Sequence, residues 1–257
     1  KDFYKLVKKK FNFIVYLAAF TRPSSSISKK KEVFNTNIEG LRNTINYFKK
    51  FTPKSKFIFI SSSAVYEGLK IKKNIIEKYN LPKQKTPYGI SKYRSEKLLF
   101  KLCKNNKIII ARPFAIIGED KKKDVCSDII NQFIFSKNQT NVNIKLGNTK
   151  AVRDFIYIDD FVSAIYLLLT KGSNKEIYNL CSNKGTKIKI LCKKISKIFG
   201  KKFKMVNHSN LKRSIDTNIL VGNNKKIKSL GWRLKYNLED SLKKIIYSRL
   251  KKTKYRM

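Results

Sequence analysis

The chain has 257 residues, 42% of them hydrophobic and 12% aromatic, enough to bury a core and fold as one large or two modest domains. Its formal charge of +42 comes mainly from lysines spread along the whole chain, with no nucleic-acid motif or aromatic-basic platform beside them. The charge therefore reads as a diffuse field that attracts a diphosphate, and argues against a nucleic-acid stripe.

Cys103, Cys126, Cys181 and Cys192 have neither CxxC spacing nor partner histidines, so no metal site or disulfide scaffold is expected and a reducing cytoplasm fits. The apolar runs are too short to span a bilayer, which argues against a membrane role.

Phe13 to Ala19 is an apolar run ending in small residues, the pattern of a buried parallel strand. Val33, Ile38, Leu41, Ile45 and Phe48 recur at helical spacing and predict one helix over 31–50. Phe57 to Ile60 is a second buried strand, running into Ser61-Ser62-Ser63. Pro87 suits a first helical turn and opens a helix to about Lys104. Ile108 to Ala111 is a third strand, ending at Arg112-Pro113. Strands alternating with helices of this length predict an α/β fold with a doubly wound parallel sheet.

After Gly118 the pattern predicts a helix at 125–137, strands at 142–146 and 154–158, and a helix at 159–171. A strand at 176–180, a helix at 187–199 and a basic helix from Leu238 to Leu250 complete the chain. Residues 1–118 form the first domain, joined by a return segment near 150–171, and 119–257 are mainly a smaller mixed α/β lobe.

His208 is the only histidine, so a Ser-His-Asp or histidine-metal mechanism lacks its parts. Asp159-Asp160 sits at a predicted helix start and reads as capping rather than acid/base chemistry. Tyr-x-x-x-Lys occurs six times: Tyr4/Lys8, Tyr66/Lys70, Tyr79/Lys83, Tyr88/Lys92, Tyr93/Lys97 and Tyr247/Lys251. Context singles out Tyr88/Lys92. The two lie four apart at a helix start, hence on one face. The strand just upstream delivers Ser61-Ser62-Ser63 to its carboxyl end, where open parallel sheets bind ligands. A free phenol, with pKa near ~10, is a poor base at neutral pH. A neighbouring ammonium favours the phenolate, and a serine hydroxyl orients the reacting oxygen.

The ordered segments Val15-Tyr16-Leu17-Ala18-Ala19, Asn37-Ile38-Glu39-Gly40, Ser61-Ser62-Ser63-Ala64-Val65-Tyr66 and Pro87-Tyr88-Gly89-Ile90-Ser91-Lys92 carry a resemblance. Arg112-Pro113-Phe114, Arg153-Asp154-Phe155-Ile156-Tyr157-Ile158-Asp159-Asp160, Tyr178-Asn179-Leu180 and Leu230-Gly231-Trp232 extend it across nearly the whole chain. Together they resemble the extended short-chain dehydrogenase/reductases, the NAD-dependent epimerase/dehydratase family.

The resemblance implies Ser62, Tyr88 and Lys92 as the catalytic set and NAD or NADP as cofactor. It implies a crevice for that cofactor lined by Ala18, Ala19, Asn37, Ser61 and Pro113, with Tyr88 and Lys92. Ser63, Arg153, Arg213 and Asp216 would meet a nucleotide-sugar substrate, the arginines clamping its diphosphate. A homodimer through the helices at 31–50 and 88–104 is implied as well. The family's glycine-rich phosphate turn would lie upstream of Ala18, and no glycine precedes Tyr16, so the amino-terminal strand-helix units are expected to be missing from this sequence.

Family members that dehydrate their sugar carry an acid one or two residues after the catalytic Ser/Thr; here Ser63 and Ala64 stand there, which disfavours dehydration. The stretches 146–155, 178–182 and 213–224 are similar to GDP-4-keto-6-deoxymannose reductases, so 4-keto reduction is expected, with 4-epimerisation as the alternative. A sugar-nucleotide-binding remnant without catalysis is the reading from another class. Tyr16 replaces a common histidine, Ala115 replaces a frequent substrate-binding asparagine, and Glu67 interrupts the usual Val-Tyr-Gly. The last two bear on the sugar pocket.

Overall fold

The computed structural model describes residues 10–21, 25–71, 73–136, 139–208, 211 and 217–254. Strand β1 (Phe13–Tyr16) is followed by helix α1 (Lys30–Phe34), a π-turn (Asn35–Glu39) and helix α2 (Gly40–Phe51). Strand β2 (Lys56–Ile60), a 3-10 turn (Ser63–Tyr66), helix α3 (Pro87–Leu102), strand β3 (Lys107–Pro113) and strand β4 (Ala115–Ile117) come next. Then follow α4 (Val125–Phe135), β5 (Asn141–Leu146), β6 (Val152–Tyr157), α5 (Ile158–Lys171), β7 (Ile177–Leu180) and β8 (Gly185–Lys187). The chain continues with α6 (Ile188–Phe199), β9 (Lys202–Asn207), β10 (Ile219–Leu220), α7 (Lys225–Lys228) and α8 (Leu238–Lys254).

The main sheet runs β1-β2-β3-β7, every pair parallel. Its central strands are apolar throughout because both faces are covered. Phe57, Phe59, Ile108 and Ile110 pack with Leu41, Ile45 and Phe48 of α2 and Leu99 of α3. Ile58, Ile60, Ile109 and Ala111 point the other way, onto Phe161, Ala164, Ile165 and Leu168 of α5 and onto Trp232. Alternate side chains thus feed two cores, the doubly wound arrangement that the alternation of strands and helices predicts. A third cluster gathers α4, α6 and α8 with β5, through Ile129, Phe133, Ile144, Leu191, Ile195 and Leu242. Around it lie β10-β6-β4 with β8 antiparallel on β6, and the parallel pair β5-β9.

Three elements differ from the sequence reading. The strand expected to reach Ala19 stops at Tyr16, so Leu17 and Ala18 form an exposed loop. The helix expected at 31–50 runs unbroken over 30–51 but contains a π-turn at 35–39, where Asn37 is buried. Strands β4, β8, β9 and β10 are additions; three of them have only two or three residues. Among the described residues no helix is long and apolar enough to cross a membrane, and no group of His, Cys, Asp or Glu is placed to hold a metal.

Candidate active site

β2 ends at Ile60, and the next two residues leave the carboxyl edge of the sheet with different tasks. Ser61 is buried and its hydroxyl donates to Glu96 Oε1 at 2.5 Å, facing inward. Ser62, extended and half-buried, caps the 3-10 turn by accepting from the Ala64 N–H at 3.1 Å. Ser63 begins that turn and is buried.

Helix α3 brings the other two catalytic candidates. Thr86 caps it, accepting from the Gly89 N–H at 3.0 Å, and Pro87 fills its first turn. Tyr88 and Lys92, one turn apart, are both buried on the face turned to β2. The Ser62 hydroxyl hydrogen-bonds the Tyr88 phenol, so the serine and the tyrosine meet. Lys92 Nζ donates to the Ile60 carbonyl at 2.8 Å and lies 5.0 Å from the centre of the Phe59 ring.

Burial raises the Tyr88 pKa above the ordinary tyrosine value, the Ser62 bond pulls it down, and the charge of Glu67 pushes it up again. Burial lowers the Lys92 pKa to about 8, against the opposing pull of Glu96.

Behind the three lies a polar network that the sequence did not announce. Arg112 at the end of β3 pairs with Glu96 through Nε (2.9 Å) and Nη2 (2.6 Å), both side chains being almost wholly buried. Arg112 Nη1 also donates to the Tyr66 hydroxyl at 2.9 Å, and that hydroxyl donates to Asn179 Oδ1 at 2.7 Å. The available signal was the continuation of the Tyr88/Lys92 spacing by four more residues to Glu96.

The other sequence candidates are distributed as follows. Ala18 is exposed and Ala19 half-buried, in the loop after β1. Asn37 is buried; its amide accepts from the Phe20 N–H at 2.6 Å and donates to Ser91 Oγ at 2.8 Å and the Phe20 carbonyl at 3.2 Å. These bonds tie the loop after β1 to α3. Pro113 is buried at the end of β3, opposite Leu180 of β7. Arg153 lies on β6, half-buried, donating to the Val152 carbonyl at 3.0 Å and the Asn218 carbonyl at 3.3 Å. Arg213 and Asp216 lie outside the described residues. Glu67 is buried against the start of α3.

A parallel sheet wound on both faces, with a serine, a tyrosine and a lysine gathered at its carboxyl edge, defines an α/β protein of the extended short-chain dehydrogenase/reductase class. The family model "NAD dependent epimerase/dehydratase family" matches residues 1–181, and the chain belongs to that family. It is 24% identical over 238 residues to the GDP-6-deoxy-D-mannose reductase of Pseudomonas aeruginosa, covering 91% of this chain and 78% of that protein. It is 26% identical over 258 residues to the dTDP-4-dehydro-6-deoxyglucose reductase of Escherichia coli, covering 96% and 78%. The dTDP-D-glucose 4,6-dehydratase of Dictyostelium discoideum is 30% identical over 185 residues, but the match spans only 42% of that protein.

Among solved structures, RMD from Pseudomonas aeruginosa complexed with NADPH superimposes with a TM-score of 0.85 at 23% identity, covering 94% of this chain and 82% of that one. The UDP-glucose 4-epimerase of Thermotoga maritima with UDP-glucose gives 0.83 at 25%, covering 94% and 78%.

Proposed function

We propose that the chain carries the catalytic set of an NAD(P)-dependent oxidoreductase that reduces the 4-keto group of a nucleotide-diphosphate sugar. The observation that carries this reading is the placement of Ser62, Tyr88 and Lys92 at the carboxyl edge of one sheet, with the serine hydroxyl on the tyrosine phenol. Reduction of a carbonyl needs an acid at the oxygen, and a phenol can supply that proton. The names of the relatives support the substrate class.

The residues present suit a nicotinamide cofactor. The loop after β1 offers the small side chains Ala18 and Ala19 at a strand's carboxyl end, where a flat ring needs room. Lys92 donates one hydrogen bond, to Ile60, among the described residues, which leaves ammonium N–H groups for a pair of ribose hydroxyls. When bound, NADH or NADPH supplies hydride to the sugar carbon. Ser62 donates a hydrogen bond that fixes the carbonyl oxygen, and Tyr88 gives that oxygen its proton. Lys92 holds the ribose and keeps positive charge near the phenol. Ser61 and Asn37 work from behind, by anchoring Glu96 and the loop after β1, and Pro113 closes the crevice floor. Ser63, Arg153, Arg213 and Asp216 are assigned to the sugar nucleotide, the arginines to its diphosphate.

Residues 1–118 with the return segment near 150–171 hold the cofactor, and 119–257 hold most of the substrate contacts. Two copies pair through the helices at 31–50 and 88–104; a monomer in sedimentation at micromolar concentration would contradict this.

Tyr88→Phe removes the proton donor with little change of shape. Nicotinamide-dependent turnover of a 4-keto nucleotide sugar should fall by about 10²–10⁴-fold. Unchanged turnover in this variant overturns the reading. The likeness to a 4-epimerase favours a second reading, in which the sugar is first oxidised and then reduced on its other face. Net consumption of NAD(P)H separates the two, because epimerisation returns the cofactor to its starting state.

A further inference from the structure

Glu67 stands where the family's Val-Tyr-Gly ends, and its carboxylate is turned inward. It accepts from the Thr86 N–H at 2.9 Å and the Lys85 N–H at 3.2 Å. The Thr86 hydroxyl lies 2.8 Å from Oε1 and 2.9 Å from Oε2. Thr86 is the cap of α3, so Glu67 holds the cap that holds the helix. A negative charge there also complements the amino-terminal end of the helix dipole. The approach depends on Gly89: a Cβ at that position would sit 2.8 Å from Glu67 Oε2 and 2.9 Å from the Ala64 carbonyl. One residue before Gly89 is Tyr88.

We infer that Glu67 is a positioning residue for Tyr88: its buried carboxylate pins the turn that opens α3 and places a fixed negative charge beside the reacting phenol. This rests on the reading of Tyr88 as proton donor. The charge disfavours phenolate, so the form of Tyr88 that reduces a carbonyl persists further into alkaline pH.

Other groups bear on the same phenol. Ser62 reaches it from the 3-10 turn, and Lys92 lies one turn along α3. Behind Lys92 stand Glu96 of α3, Arg112 of β3 and the Ser61 hydroxyl. Of these, Glu67 is the negative group that acts on Tyr88 directly, which makes its removal informative.

The test is a tyrosinate absorbance titration of the full chain with neither cofactor nor substrate, taking the difference against Tyr88→Phe to isolate Tyr88. In Glu67→Gln the Tyr88 titration should move to lower pH, whereas Glu67→Asp, which keeps the charge, should stay near the parent. Superimposable curves for the parent and Glu67→Gln overturn the inference. Should Glu67→Gln fail to fold, Thr86→Ala, which removes the hydroxyl that holds the Glu67 carboxylate, decides: a Tyr88 titration superimposable on the parent's overturns it. In turnover at one fixed pH, reductive kcat should fall in Glu67→Gln and be restored in Glu67→Asp while KM for the sugar nucleotide holds. An unchanged kcat in Glu67→Gln, or an equal fall in both variants, overturns the inference. If the parent chain shows no turnover, the proposed activity fails while the titration still decides the role of Glu67.

Discussion

Glu96 and Asp154 are both buried carboxylates that tie elements together, but they are satisfied in different ways. Glu96, under the carboxyl edge of the main sheet, is held by the Arg112 guanidinium and the Ser61 hydroxyl, side chain to side chain. Asp154, on β6 beside the second lobe, accepts from the Ser182 N–H (2.7 Å) and hydroxyl (2.6 Å), the Asn183 N–H (3.0 Å) and the Gly222 N–H (3.2 Å). None of those partners is a cation. Burial works against the Arg112 charge, yet the bonds and charge of Glu96 more than offset it and its pKa rises. Burial of Asp154 dominates its four bonds and pushes its pKa up to about 6. A charge neutralised by a counter-charge is robust to pH and fragile to mutation. A carboxylate cradled by amides is the reverse in one respect, since pH alone can discharge it.

The largest effect should come from breaking the first arrangement. Arg112→Met leaves Glu96 buried without its counter-charge and takes a donor from the Tyr66 hydroxyl. It should destabilise the fold by about 3–5 kcal/mol, read as a shift of the denaturant midpoint. It should also raise the Lys92 pKa, because the charge of Glu96 then falls to Lys92 alone. A loss below about 1 kcal/mol would show that the pair adds no more than an exposed ion pair does.

What the sequence made legible follows from the same division between apolar and polar burial. Phe57–Ile60 and Ile108–Ala111 are continuous apolar runs, so the parallel sheet is legible in the residues alone, as is the helix that presents Tyr88 and Lys92. Lys-rich β9 hid its period of two, since its outward positions look like any other basic stretch of this chain. The π-turn at Asn35–Glu39 leaves the helical spacing of apolar residues almost intact and so gives no signal. The network around Glu96 and the inward turn of Glu67 depend on which way single polar side chains point. Composition and spacing do not carry that information. The family resemblance supplied the candidate trio, but not the direction in which burial and Glu67 push the Tyr88 pKa, because that depends on packing and on a residue where this chain departs from the family's pattern.

Asp154 gives the middle-sized effect, and it depends on pH. Its ordinary pKa is 3.8 and its folded value is about 6, so the folded chain binds the proton more tightly than the unfolded chain. Its contribution to stability is therefore full below about pH 4 and is lost as pH rises through 6. The loss across that window is on the order of 2–3 kcal/mol. Asp154→Asn abolishes the titration, so the stability difference between parent and variant should narrow from pH 4 to 6 and level off above. A difference independent of pH would mean that the amide cradle holds Asp154 ionised throughout.

Arg42 and Glu39 provide the smallest effect and the sharpest contrast with Arg112 and Glu96. The residue types are the same and the bond is similar, Arg42 Nε to Glu39 Oε2 at 3.1 Å, but both side chains are about half exposed. Water already solvates each charge, and holding two long side chains together costs rotamer freedom. Arg42→Ala should change stability by less than about 0.5 kcal/mol, and added salt should erase what remains. Burial sets the ranking in both cases, because desolvation makes each buried charge depend on its partner. If Arg42→Ala cost as much as Arg112→Met, that account would fail, and the effect of the buried pair would have to come from packing around the arginine stem.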